Sequence, residues 1–216
     1  MFFRTPFFLP WLYPELVWKE DSQEKKIFLT FDDGPVPGPT EFVLDALKKF
    51  NAKATFFCIG DNVQKYPHVF NKIVGDGHSI GNHTFNHLKG WNHSTQEYVR
   101  NVELCARQFA ERLNPTSHFK PSVSGNQPLF RPPYGRIKRK QINALRKYRI
   151  IMWDVLTHDY SISYSQKSCL AGSVKATRPG SIVVFHDSVK AERNLTYVLP
   201  RYLEHFSDKG FSFEVL

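Results

Sequence analysis

Cysteine is scarce in these 216 residues: there are three, Cys58, Cys105 and Cys169, with no short metal-binding spacing between them. An odd count spread so widely argues against a disulfide framework. Cys58 sits in the apolar run Ala54-Thr55-Phe56-Phe57-Cys58 and Cys105 inside a helical pattern, so both read as small buried hydrophobes. That usage suits a reducing compartment, or an exported protein that never needed a disulfide. Long apolar runs are missing as well, and none approaches the roughly 20 residues of a membrane span. The aromatic N-terminus, Met1 to Trp18, is interrupted by Pro6, Pro10, Pro14 and Glu15. It has neither the continuous apolar stretch of roughly 7–15 residues nor the small-residue cleavage site of a signal peptide. The expected location is therefore cytoplasmic or envelope-associated. Residues 1–25 are expected to pack on the domain, the alternative being membrane-interface contact through Trp11, Tyr13 and Trp18. No internal repeat, low-complexity tract or long linker divides the chain.

What is present is an ordinary globular composition: 41% hydrophobic and 23% charged residues, with 15% aromatics that include 19 phenylalanines. The formal charge of +9 suits anionic partners such as acidic glycans, nucleic acid or a membrane surface, and equally serves plain solubility. Apolar runs alternate with helical patterns. Expected strands cover Lys26–Phe31, Lys53–Cys58, His78–Asn82, Leu129–Arg131, Ile150–Asp154, Ser181–His186 and Phe211–Leu216. Several are continuously apolar, as strands buried on both faces are. Helices are expected over Glu41–Phe50, Lys65–Val74, Arg136–Tyr148 and Leu195–Phe206. Ser94 opens a further one, with Glu97 at capping-box spacing and Val102, Cys105, Phe109 and Leu113 along one face. Seven strands alternating with helices predict an α/β fold, a (β/α) barrel one unit short of eight, with an open doubly wound sheet as the alternative. The Ser-rich stretch Thr116–Gln127 reads as a surface loop.

Titratable residues gather where these strands end. The first strand runs into Asp32-Asp33-Gly34-Pro35. Alternation along an extended chain turns the two carboxylates in different directions, so one can bind a metal while the other accepts a proton. The plain alternative is an Asp-Gly turn. His83 and His87 lie four residues apart just past another strand, a spacing that in a helical turn brings both rings to one face. Two imidazoles and the Asp33 carboxylate would complete a catalytic metal site with an open position. Arg131-Pro132-Pro133-Tyr134-Gly135 offers an arginine to orient a carboxylate and a backbone N–H for an oxyanion, or else a stiff loop with a surface cation. Trp153 to Tyr160 and Ser181 to Asp187 add acids, aromatics and His186, which is otherwise read as a satisfied core histidine. In a β/α barrel the active site is built from the loops after the strands, and the clustering there points to an enzyme.

In this order the motifs Thr30-Phe31-Asp32-Asp33-Gly34-Pro35, Gly81-Asn82-His83-Thr84 and Arg131-Pro132-Pro133-Tyr134-Gly135, with the two later ones, closely resemble the polysaccharide deacetylase family. This is the NodB-homology domain of carbohydrate esterase family 4. The resemblance runs from about Lys26 to the C-terminus, giving residues 26–216 as the catalytic domain. It implies a distorted (β/α)7 barrel and metal-dependent hydrolysis of N-acetyl groups from an N-acetylglucosamine-containing polysaccharide, whether chitin oligomer, peptidoglycan or exopolysaccharide. By resemblance Asp32 is the general base, and Asp33, His83 and His87 hold one divalent ion, zinc first, with cobalt, nickel and manganese also suited. Arg131 positions Asp32, the Tyr134 N–H faces the oxyanion, Asp159 pairs with His186 as general acid, and Tyr160 and Val184 line the acetyl pocket. Three positions depart from the common pattern: Tyr160 stands for a tryptophan, Val184 for a leucine and Leu156 for an acid. The expected partner is an acetylated glycan bound by a monomer. The rivals are an O-acetyl ester or small-amide metallohydrolase on the same fold, a non-catalytic glycan binder, and a nucleic-acid binder using Arg136, Lys138, Arg139 and Lys140, which read better as a solvated helix face.

Overall fold

Alternation in the run Lys-Ile-Phe-Leu-Thr-Phe-Asp decides how the first strand sits. In the computed structural model, which describes residues 3–113 and 127–216, this run forms β1 (Lys26–Asp32). Ile27, Leu29 and Phe31 face outward into a core shared with the surrounding helices. Phe28, Thr30 and Asp32 take the opposite face. Each fully buried phenylalanine or leucine in that outer core stabilises the fold by roughly 1.5–3 kcal/mol. Phe31 stacks at 5.1 Å on Phe56 and at 5.8 Å on Phe185, locking the three central strands side by side.

The remaining strands are β2 (Ala54–Cys58), β3 (Ser79–Asn82), β4 (Leu129–Phe130), β5 (Arg149–Ile150), β6 (Val155–Leu156), β7 (Ile182–His186) and β8 (Ser212–Phe213). They pair in parallel in the order β5-β4-β3-β2-β1-β7-β6, with β8 beside the start of β1. Phe57, Leu129, Ile151, Ile182 and Leu216 fill the interior of the curled sheet. The chain is thus the single-domain distorted barrel expected from its pattern. The helices are α1 (Phe8–Leu12), α2 (Pro39–Lys49), α3 (Gly60–Lys65), α4 (Pro67–Gly75), α5 (Thr95–Arg112), α6 (Arg139–Ala144), α7 (Gln166–Ala176) and α8 (Glu192–Ser207). The Ser94 capping box forms as read: its Oγ accepts from the Glu97 N–H at 3.2 Å, and its own N–H donates to Glu97 Oε2 at 2.9 Å.

Several elements differ from expectation: α1 and α3 were not expected, and of the strand expected over Phe211–Leu216 only Ser212–Phe213 forms. Of the strand expected over Ile150–Asp154 only Ile150 lies in a strand, the end of β5, and the next strand, β6, begins after the expected range at Val155. Ile150 pairs with Phe130 of β4, whereas Val155 pairs with Val183 of β7. One extended run thus spans the gap between the two ends of the sheet. Helix α6 is only six residues long, well short of Arg136–Tyr148. Helix α7 was not expected at all; it buries only Cys169, Ser173 and Ala176, a face too small and polar to read as amphipathic. The loop expected over Thr116–Gln127 lies, apart from Gln127, outside the described residues.

The N-terminal segment packs across the bend. The Leu156 N–H donates to the Phe3 carbonyl, the Thr5 N–H to Asp154, the Val17 N–H to Ile150 and the Met152 N–H to Val17, all within 2.7–2.9 Å. Leu16 and Trp18 are buried in a core with Tyr98, Phe130 and Ile142. No described helix is long and apolar enough to cross a membrane. If this segment is an integral part of the barrel, Trp18→Ala lowers the unfolding free energy by about 3–5 kcal/mol in urea titrations; a change under about 1 kcal/mol would show that it merely lies on the surface.

Candidate active site

The register of the sheet brings the strand ends together. Asp32 is the Cα partner of His186, Cys58 of Asn82, and Asn82 of Phe130. Residues that leave these strands at their C-terminal ends therefore meet over one rim of the barrel.

Arg131 turns inward just after β4 and is fully buried, the largest side chain so placed among the described residues. Its Nη1 donates to Asp32 Oδ1 and to Thr30 Oγ1, each at 2.7 Å. Nη2 and Nε donate to the carbonyls of Met152 and Ile151 at 2.8 and 3.3 Å. The guanidinium lies 4.1 Å over the Phe57 ring. Gly81 makes room for that ring, since a Cβ there would come within 2.4 Å of it. Burial alone lowers the arginine pKa, and the Asp32 charge opposes the fall. With Oδ1 held, Asp32 Oδ2 points 4.0 Å from His83 Nε2.

Asp33, His83 and His87 form the second cluster. Asp33 Oδ1 stands 3.1 Å from His87 Nε2 and 3.7 Å from His83 Nε2, and one donor atom from each residue lies within 4.8 Å of the others. Donors bound at about 2.0–2.2 Å to a tetrahedral ion stand roughly 3.3–3.6 Å apart, so the set fits one divalent cation. The chemistry of the donors agrees. His83 Nδ1–H donates to the Arg131 carbonyl at 2.8 Å, which leaves Nε2 as the lone-pair atom on the Asp33 side. Burial, with His87 adding, pushes the His83 pKa down to about 4 over the opposing pull of Asp32 and Asp33, so the ring is neutral at neutral pH. For Asp33 burial works against ionisation, but the hydrogen bond from His87 and the positive charge of His186 outweigh it. Its carboxyl is held well below the usual range.

The segment joining the two histidines is not the helical turn that their spacing suggested. Thr84 and His87 take left-handed backbone conformations, φ 62° and 55°. Side chains hold this irregular path. Asn82 Oδ1 accepts from the Thr84 N–H at 2.9 Å, Thr84 Oγ1 from the Leu88 N–H at 3.0 Å, and Asn101 Oδ1 from Phe85 and Asn86 at 2.8 and 3.0 Å. Asn101, on α5, was not singled out from the sequence; an Asn on the inner face of an amphipathic helix was the available signal. Asp33 and Tyr134 are also left-handed, φ 81° and 60°. Such strain persists only where the surroundings fix it.

Opposite the cluster, His186 Nδ1 pairs with Asp159 Oδ1 at 2.8 Å, and Asp159 Oδ2 accepts from the His186 N–H at 2.8 Å. Burial disfavours the imidazolium, but the Asp159 charge and hydrogen bond, with Asp33 and Asp32 adding, push its pKa up to about 9. Asn194 of α8 steadies Asp159 by donating to its carbonyl at 2.9 Å. The neighbouring Asp187 faces away from that pair. Its Oδ1 accepts from the Gly34 N–H at 3.0 Å and its Oδ2 from the Thr40 hydroxyl at 2.6 Å. Burial pushes this carboxyl up to about 8, with Asp33 adding and Thr40 opposing. Gly34 is obligatory beneath it, because a Cβ would fall 1.9 Å from the Asp187 carboxylate. Asp187 thus anchors the Asp33 turn, as neither it nor Thr40 was read to do.

Comparisons with known proteins decide the family. Residues 19–153 match the polysaccharide deacetylase family model. The chain belongs to the polysaccharide deacetylase family. It is 32% identical over 204 residues to a peptidoglycan-N-acetylglucosamine deacetylase of Bacillus cereus, covering 92% of this chain and 89% of that protein. It is 31% identical to a chitooligosaccharide deacetylase of Azorhizobium caulinodans, over 77% of this chain and 75% of the other. Among solved structures, the Bc1960 peptidoglycan N-acetylglucosamine deacetylase superposes with a TM-score of 0.84 at 27% identity, covering 98% of this chain and 95% of that one.

The remaining motif residues of this polysaccharide deacetylase family member lie on the same rim. The Tyr134 ring is 4.6 Å from His87 and exposed, and the Tyr160 ring meets His186 edge-on at 4.8 Å. Val184 is buried two residues before His186 on the inward face of β7. The Asp159–His186 pair generates a sign-specific prediction. Its folded pKa exceeds the unfolded value of about 6.5. The stability it contributes is therefore fully present below about pH 6.5 and is lost as pH rises through about 9. In metal-free protein followed by NMR, His186 is expected to titrate near 9, and in Asp159→Asn below about 7. An unchanged titration in the variant contradicts the pairing.

Proposed function

We propose that this protein hydrolyses N-acetyl groups from an N-acetylglucosamine-containing polysaccharide and releases acetate, with a divalent metal ion held by Asp33, His83 and His87. The observation that carries the reading is the placement of a free Asp32 oxygen beside a metal-compatible Asp-His-His set, with a protonated histidine on the neighbouring strand. The relatives' names, a peptidoglycan-N-acetylglucosamine deacetylase and a chitooligosaccharide deacetylase, favour the same chemistry.

A divalent ion bound there supplies Lewis acidity, withdrawing charge from an acyl oxygen and acidifying water. Every other part falls to the chain. Asp32 is fixed through Oδ1 by Arg131, and its Oδ2 takes the proton of the attacking water. The loop after Arg131 spends its Gly135 and Arg136 N–H groups on the Pro132 and Pro133 carbonyls. The preceding Tyr134 N–H is assigned to the acyl oxygen as charge develops on it. An amine leaves poorly unless protonated. His186, kept an imidazolium by Asp159, holds its second ring N–H for that nitrogen. This requirement favours an amide substrate over an ester, whose alkoxide leaves without such help. Tyr160 and Val184 bound the acetyl pocket, and valine leaves more room there than leucine would.

Acetate release from N-acetylglucosamine oligomers and from acetylated xylan, measured together with metal content, tests this. Asp32→Asn is expected to lower release by about 10²–10⁴-fold with the metal retained, and His83→Ala to lose metal and release together. Turnover at the wild-type rate in Asp32→Asn removes Asp32 as the base, and faster release from xylan makes the protein an esterase.

A further inference from the structure

Helix α1 turns its two sides to different surroundings. Leu9 and Tyr13, four residues apart, pack against the core that holds Leu16, Trp18, Phe130 and Ile142. Phe7, Phe8, Trp11 and Leu12 fall together on the other side at helical spacing. All four are exposed, Phe7 by 91% and Trp11 by 80%. Among the described residues eight large hydrophobic side chains are exposed, and these four of them lie within the stretch from Phe7 to Leu12. Exposed apolar groups gathered so closely mark a surface that meets a partner. The segment precedes residue 19, where the match to the family model begins. Of the three aromatics considered for a membrane contact, Trp18 and Tyr13 are held in the fold, and Trp11 stands outside it.

The ground beside α1 is basic. Arg139 of α6 donates through Nη2 to the Leu12 carbonyl at 3.3 Å, and its guanidinium lies 5.2 Å over the Tyr13 ring. Lys140 follows it and is also exposed. Arg136 lies 4.2 Å over the Trp91 ring, and Leu12, Tyr13, Trp91 and Arg136 border one cavity. Residues 136–147 contain six lysines and arginines and no acid, while residues 3–19 contain one acid, Glu15. An apolar protein partner would strip these cations of water without pairing them. The boundary of an anionic bilayer answers both halves of the patch. Aromatic rings settle at the level of the headgroups, apolar faces sink roughly 5–10 Å, and cations meet the lipid phosphates.

We propose that this face docks on an anionic lipid bilayer, with Phe7, Phe8, Trp11 and Leu12 among the headgroups and Arg136, Arg139 and Lys140 against lipid phosphates. Tyr134, whose ring is 4.6 Å from His87, borders the same cavity as Leu12, so docking sets the active-site rim near the membrane surface. The docking does not depend on which reaction the site performs. Co-sedimentation of the full chain with phosphatidylcholine vesicles, with and without phosphatidylglycerol, tests it. Partitioning is expected to be about tenfold stronger onto the anionic vesicles. The double variant Phe7→Ser, Trp11→Ser lowers it about tenfold. The double variant Arg139→Gln, Lys140→Gln lowers it about tenfold on anionic vesicles alone. The same charge change on exposed positions of α2, Lys48→Gln with Lys49→Gln, alters it by less than about twofold. In the unsubstituted chain, lipids with a nitroxide high on the acyl chain quench the tryptophan fluorescence. Absent partitioning, partitioning unchanged in Phe7→Ser, Trp11→Ser, or an equal loss in the α2 variant overturns the proposal. Self-association that Phe7→Ser, Trp11→Ser abolishes, without vesicle binding, gives the face to a second copy of the chain instead.

Discussion

The rest of the site depends on one buried ion pair, Arg131 with Asp32. Taking two charges out of water is expensive, and the attraction between them compensates only when every remaining donor is satisfied. Here each guanidinium nitrogen has a partner: beyond Asp32, Arg131 reaches Thr30, Ile151 and Met152 and lies over Phe57. These partners come from β1, from β2 and from the bent run after β5. The arginine therefore ties together the parts of the barrel that no continuous ladder closes. Its backbone carbonyl also accepts a hydrogen bond from His83 Nδ1–H, so the same residue that holds Asp32 fixes which nitrogen His83 turns toward Asp33.

Around this anchor the site separates charge by environment. Asp33 is kept ionised by the His87 hydrogen bond and the His186 charge, His83 is kept neutral by burial, and His186 is kept cationic by Asp159. An anionic carboxylate, a neutral imidazole and an imidazolium thus coexist within one rim at one pH, as the proposed hydrolysis of an amide requires. The backbone contributes through strain. Asp33, Thr84, His87, Tyr134 and His158 all hold left-handed conformations, and among described non-glycine residues only Asn51 does so elsewhere. Loops bent that far deliver side chains to places that regular strands and helices cannot reach.

The barrel was legible in the sequence because burial on both faces writes itself as continuous apolar strands, and β1, β2 and β7 could hardly be read otherwise. The chemistry was legible as residues bunched at strand ends. The path between His83 and His87 was not, because spacing alone assumes a helix and nothing local announces two left-handed residues. The bend that divides β5 from β6 was equally silent, since both halves are extended and apolar. Asp187 and Asn101 were missed for a related reason: their partners, Gly34 and Thr40 in one case and the Phe85–Asn86 backbone in the other, are distant in sequence or show no side-chain signal.

The account is tested most directly by the anomalous scattering of a crystal soaked in zinc. It predicts one peak at about 2.0–2.2 Å from Asp33 Oδ1, His83 Nε2 and His87 Nε2, with Asp32 Oδ2 beside it but outside bonding distance. A peak bound through Asp32 instead of Asp33, or none at these three side chains under saturating zinc, contradicts it.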